Sequence, residues 1–213
     1  MKTDDLIDVL STNVEAVDTR RVVLYILAGI LIGVATAILL TVLALGIRPD
    51  LQDTRVLVFM LAKAAFGIAI VGLAAAYLVK LIRPGGESRF SLLIPTLPFI
   101  TIMTFASISL VSAPRSHWES MLMGDEWLEC IVSIPAIAIV PFAVIMWAVR
   151  QAAPTDLFRT GALAGLVAGG VSAAAYALHC TDDTMPFVAL WYGSTIVMCT
   201  LAGAMLGPRL LRW

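Results

Sequence analysis

Late in the chain an apolar stretch runs into four side chains that can do chemistry: His179, Cys180, Asp182 and Asp183, in AYALHCTDD. A second thiol, Cys130, lies in DEWLEC, with Glu126 and Glu129 beside it. Thiols surrounded by acids and an imidazole admit three chemistries: a reversible disulfide, capture of a soft metal ion, or redox catalysis. Thiol catalysis ordinarily uses a resolving partner in CxxC spacing, and no such pair is present. Structural zinc wants four nitrogen or sulfur ligands at closed spacing. Cys130 and Cys180, with His179, Glu129, Asp182 and Asp183 as auxiliary ligands, make an incomplete cage. Such a set suits transient binding of a soft ion and not a constitutive cofactor. Sensing is the chemistry these residues favour, and no catalytic residue is assigned. Cys199, in IVMCTLAGAML, has no charged neighbour in sequence and is expected to be a packing residue.

Whether the thiols meet depends on the elements that carry them. Of 213 residues 60% are hydrophobic and only 14% charged, where a soluble domain carries about a quarter charged. Apolar runs long enough to cross about 30 Å of hydrocarbon occur at 22–47, 56–82, 90–112, 127–149, 160–177 and 186–206. The connections, such as RPGGESR and RQAAPTD, are short and rich in helix breakers. Consecutive helices are therefore antiparallel neighbours. The expected fold is an all-α integral membrane protein, a bundle of six transmembrane helices. The polar, acidic start, MKTDDLIDVLSTNVEAVDTRR, is not a cleavable signal.

Basic residues set the orientation. With the N-terminus inside, ten of the 14 basic residues face the cytoplasm, leaving Arg48, Arg55, Lys63 and Arg115 outside. The expected topology is N-in, C-in, in a bacterial inner membrane, and Cys180 then emerges on the periplasmic side. Twenty residues separate Cys130 from Arg150, and twenty separate Thr160 from Cys180. Both arms measure about 30 Å at helical rise. The two thiols accordingly stand at matched depth on adjacent helices, whose axes lie roughly 8–10 Å apart.

Charge within the spans is scarce. Lys63 is placed where its stem would snorkel outward, and no Asp, Glu or His sits at mid-depth as ion-coupled transport would want. A small transporter or channel for a metal or organic solute is the alternative function, and it predicts polar residues facing a lumen. Trp118, Trp127, Trp191 and Tyr192 fall near span ends, as in an aromatic belt. GALAGLVAGGVSAAAYA presents small residues that permit close helix packing. Net charge is −1, so no basic field points to direct nucleic-acid binding.

Residues 1–20 are the only part not consumed by spanning, against a sensor domain at 21–213. Leu6, Ile7, Leu10, Val14 and Val17 recur at helical spacing, with Asp4, Asp5, Asp8, Glu15 and Asp18 around them. This predicts a short amphipathic cytoplasmic helix, with an apolar stripe for groove docking and an acidic rim that favours a basic partner. Sigma factors, whose DNA-binding surfaces are basic, are partners of that kind.

The head DDLIDVLSTNVEAV, the motif WLEC, AAP after the fourth span, AGLVAGG…AYALHC and the following WY resemble the NrsF family. Its members are membrane anti-sigma factors, negative regulators of an extracytoplasmic-function (ECF) sigma factor F. The resemblance implies a cytoplasmic N-terminus, here Leu6, Ile7, Leu10, Val14 and Val17, that sequesters the sigma factor. It also implies two periplasm-side cysteines, here Cys130 and Cys180, that respond to heavy-metal or oxidative stress and release it. The implied partners are the sigma factor and membrane lipid.

Overall fold

The computed structural model describes residues 19–81, 94–152 and 154–212, and these residues form helices without strands. α1 (Thr19–Leu40) runs into a π-helical turn, Thr41–Leu45. α2 (Thr54–Leu81), α3 (Leu97–Ser112) and a short α4 (Trp118–Met123) follow. α5 (Trp127–Arg150), α6 (Leu157–Tyr176) and α7 (Met185–Leu210) complete the order, α7 containing a second π-helical turn at Val188–Tyr192.

Five stretches among the described residues are long and apolar enough to cross a membrane, and α3, with 16 residues, is shorter. At helical rise α3 measures about 24 Å. The beginning of the expected third span, before residue 94, and the expected head helix with Leu6, Ile7, Leu10, Val14 and Val17 lie outside the described residues. Large apolar side chains such as Leu31, Ile68, Val111 and Val132 stand exposed on the outer faces, a surface compatible with surrounding lipid.

Local chemistry sets several boundaries. The fifth run, expected from residue 160, begins at Leu157 because the Asp156 side chain caps it, accepting the Arg159 N–H at 2.9 Å. The stretch between α3 and α5, expected as a loop, instead forms a 3-10 turn at Arg115–His117 and then α4. Trp191 Nε1 donates to the Leu122 carbonyl at 2.8 Å and Thr184 Oγ1 to the Met121 carbonyl at 2.7 Å, pinning α4 to the start of α7. The exposed hydroxyls of α3 turn back onto its own backbone, as Thr104 does onto the Ile100 carbonyl at 2.8 Å. A polar side chain is thereby satisfied without water.

α6 is the central helix, the most buried of the five, and packs against α1, α2, α5 and α7. Its glycines meet those of α7 backbone to backbone. A Cβ at Gly161 would strike the Gly203 carbonyl, one at Gly165 the Cys199 carbonyl, and one at Gly203 the Gly161 carbonyl. The small-residue face read from the sequence is thus a close-packing seam. α2 approaches on another side, where a Cβ at Gly67 would meet the Gly170 carbonyl. Inside α5, Pro141 is buried and packs on Gly33 of α1.

Candidate functional site

The end of α1, the start of α2, the start of α5, the end of α6 and the start of α7 converge at one end of the bundle. Cys130, one turn into α5, and Cys180, just past α6, are both fully buried free thiols. The Cys130 and Cys180 thiols lie within interaction range of each other. Equal helix arms therefore do bring the two thiols together. The phenol hydroxyls of Tyr176 and Tyr192 lie within interaction range of Cys130 and Cys180 respectively. Both rings are fully buried, and neither hydroxyl completes a well-formed hydrogen bond. Two polar groups are thus held unsatisfied against two sulfurs, where an unpaired buried hydroxyl is costly. Tyr192 is therefore not an interfacial belt residue as its position near a span end suggested.

Lys63 is the main correction to the sequence-based picture. It does not snorkel outward: it is 2% exposed, and its Nζ pairs with Asp183 Oδ1 at 2.7 Å. The same ammonium donates to the Cys180 carbonyl at 3.1 Å and lies 3.7 Å from Cys180 Sγ. The Cys180 thiol is held below its ordinary range, first by the Cys130 hydrogen bond and then by the charge of Lys63, against the opposing effect of burial.

Arg48, on the loop leaving α1, closes the cluster from the other side. Its guanidinium takes Asp183 in a fork, Nη1 to Oδ1 at 2.9 Å and Nη2 to Oδ2 at 2.7 Å. Nε and Nη2 hold Asp50 at 2.7 and 2.9 Å, and Nη1 also donates to the Cys180 carbonyl at 2.9 Å. Hydrogen bonds to the two carboxylates keep Arg48 protonated more firmly than an ordinary arginine. Burial works to raise the Asp183 carboxyl, but hydrogen bonds from Arg48 and Lys63 win and hold it below the usual carboxylate range.

The acids divide into separate roles. Asp182 accepts the backbone N–H groups of Asp125 at 3.1 Å and Glu126 at 2.9 Å, satisfying donors at the start of α5. Gly124 makes room for it: its φ is +58°, and a Cβ there would strike the Asp182 carboxylate. Glu126 accepts the Thr181 N–H at 3.1 Å and hydroxyl at 2.8 Å. Glu129 Oε2 faces His179 Nε2 at 3.6 Å, and His179 Nδ1 lies 3.3 Å from the Gly46 carbonyl.

Of the residues singled out as ligands, Cys180 and Asp182 come together, with Cys130 beside Cys180 alone, whereas Glu129 and His179 face each other and Asp183 serves the two cations. Glu126 completes a group with Cys180 and Asp182 in which one ligand atom from each lies within 4.8 Å of the others. One thiolate and two carboxylates, with a second thiol adjacent, fit a soft or borderline ion better than a hard one.

Residues 10–213 match the family model NrsF, described as "Negative regulator of sigma F". The chain belongs to the NrsF family. It is similar over its full length, and over the full length of each relative, to a probable anti-sigma-F factor NrsF of Azospira oryzae, at 30% identity. It is likewise similar, at 34% identity, to the anti-sigma-F factor NrsF of Caulobacter vibrioides. No solved structure matches the chain. Sequence motifs therefore placed the chain in the NrsF family correctly, while Arg48, Lys63, Glu126 and Tyr176 escaped assignment to the site. The signal for Lys63 was its apolar surroundings, since a buried charge needs a partner, whereas Arg48, in GIRPD, carried no such signal.

Proposed function

We propose that this protein is a multi-pass anti-sigma factor of the bacterial inner membrane, holding an ECF sigma factor at its cytoplasmic face and releasing it under heavy-metal or oxidative stress. Membership of the NrsF family and the full-length similarity to two proteins named as anti-sigma-F factors support the negative regulation of a sigma factor. Residues 1–20 form the docking segment, with Leu6, Ile7, Leu10, Val14 and Val17 as its apolar stripe. Residues 21–213 form the membrane sensor in the N-in, C-in, six-span arrangement. No enzymatic step is required of it.

The observation that carries the reading is the meeting of Cys130 and Cys180 as free, buried thiols at the end of the bundle remote from Thr19, where α1 begins. A stimulus that bridges the sulfurs, by a shared soft ion or a disulfide, favours one packing of α5 against α6. Output changes to the extent that the stimulus distinguishes the two packings. A transporter finds less support, because the buried cations Arg48 and Lys63 lie together at one end of the bundle and pair with Asp183. Replacing both Cys130 and Cys180 with Ser and measuring sigma-dependent transcription under cadmium or dichromate tests the sensor. A lost response is expected, and an unchanged response rejects it. For the docking segment, deletion of residues 2–18 is expected to abolish co-purification of the sigma factor.

A further inference from the structure

Arg48 is nearly inaccessible, with 1% of its side chain exposed. Every N–H of its guanidinium has an acceptor: Asp50 and Asp183 take the outer positions, and the carbonyl of Cys180 takes the last. Its backbone N–H donates to the Leu178 carbonyl at 3.1 Å, and the Gly46 carbonyl lies 3.3 Å from His179 Nδ1. The chain leaving α1 is thus fastened to the segment carrying Cys180 through main chain and side chain together. α1 itself is largely exposed along its length, packing mainly on α5, and it is the helix that begins where the N-terminal segment ends.

From this geometry we infer that Arg48 is the positioning residue through which the state of Cys180 reaches α1, its fork onto the Cys180 carbonyl and Asp183 holding the resting arrangement. The inference rests on the thiol-sensor reading above and names the path by which that sensor would act. Drawing Cys180 Sγ onto an ion shared with Cys130 turns residue 180, and its carbonyl turns with it. That carbonyl takes hydrogen bonds from both Arg48 and Lys63. Lys63 donates from a flexible stem and can follow. The planar Arg48 fork cannot follow the carbonyl while keeping both oxygens of Asp183. Loss of the fork leaves the loop held only by the main-chain contact of Arg48 to Leu178 and by Gly46 to His179; that fastening loosens, and the helix bearing the docking segment is freed to shift. A two-state element biased from one end is what such coupling requires.

The test uses the full-length protein in lipid nanodiscs with cadmium chloride as the probe. Protection of Cys130 and Cys180 from maleimide labelling reports occupancy, and backbone hydrogen exchange over residues 46–50 reports the fastening. Exchange of the Arg48 amide is expected to rise about tenfold on cadmium binding, a size usual for coupled sites, and to stay flat when both cysteines are Ser. In cells, Arg48→Met and Arg48→Lys are both expected to raise unstimulated sigma-dependent output and to abolish its further rise with cadmium. Membrane abundance and cadmium protection of the thiols should remain as in the parent. Lys keeps the charge without the fork, so its failure to rescue separates geometry from charge. Should either variant fail to accumulate, exchange in the unmodified chain decides. Protected thiols with unchanged exchange at Arg48 overturn the inference, as does an Arg48→Met chain that represses and responds normally. If cadmium protects neither cysteine, the thiol-sensor reading falls, and this inference falls with it.

Discussion

Lys63 and Asp183 form an ion pair at 2.7 Å with 1% and 19% of their side chains exposed, and Asp183 is shared with Arg48 on its other oxygen. One carboxylate therefore serves two buried cations, of which Arg48 has Asp50 as a second partner and Lys63 pairs with Asp183. Loss of the carboxylate strips Lys63 of its ion pair and leaves it buried beside an Arg48 that keeps only Asp50, whereas loss of Lys63 leaves Asp183 still held by Arg48. Asp183→Asn is accordingly expected to cost about 3–5 kcal/mol, as for a buried charge stripped of its partner. Lys63→Met should cost less, about 1–3 kcal/mol, on the scale of a lost charged hydrogen bond. Thermal unfolding of the purified proteins in one detergent would rank the two, and the reverse order would disprove the shared-anion arrangement.

The same carboxylate predicts acid sensitivity. Asp183 has a folded value below the usual carboxylate range, while the unfolded chain has the ordinary value of about 3.9. Between the two values the unfolded state binds more protons, so stability declines as pH falls. The Asp183 contribution is complete above about pH 4 and disappears as pH drops through the folded value. Melting temperatures at pH 6 and pH 3 should thus fall further for the parent chain than for Asp183→Asn, the difference isolating this group from the other acids.

Asp182 is a helix-start acceptor before it is anything else. Asp182→Ala strands the N–H groups of Asp125 and Glu126 and should cost about 1 kcal/mol, the usual price of a lost cap. The first turn of α5 carries Cys130, so maleimide labelling of Cys130 should accelerate in this variant. Equal labelling rates would mean that the turn is held by other contacts.

At the glycine seam, adding a methyl group at Gly165 or at Gly203 drives it into a carbonyl of the facing helix. Each Ala substitution should cost about 1–3 kcal/mol through overpacking. The pair should cost less than the two singles added, since one methyl group already separates the helices and makes room for the other. Additive losses, measured by unfolding in detergent, would indicate that the helices part independently at each site.

What could be read in advance follows the range of the interactions. The meeting of Cys130 with Cys180 was accessible because it needs only helical rise, two equal arms and a turn. The apolar runs follow from composition, although α3 is shorter than the run that suggested it and the extra α4 depends on contacts with Thr184 and Trp191 from α7. Lys63 was misjudged because periodicity does not say which way a lone lysine turns; its direction is set by Asp183, 120 positions later in sequence. Arg48 counted only as a charge outside the membrane, and nothing local marked it as buried. Glu126 and Glu129 are one helical turn apart, and only the position of Thr181 and His179 tells which faces the thiols.

α6 holds a further consequence for how the chain is made. It is the least apolar of the five long helices and the most buried, and the glycine face it presents to α7 has no cover until α7 has been synthesised. On the proposed topology α6 leaves the ribosome with one side unfilled, and α7 closes that side. A nascent chain that stops before Met185 would lack both this lid and Tyr192, and it would expose glycine backbone to lipid in place of protein. Biogenesis therefore depends on α7, and quality control acting on chains without it would find its mark on α6.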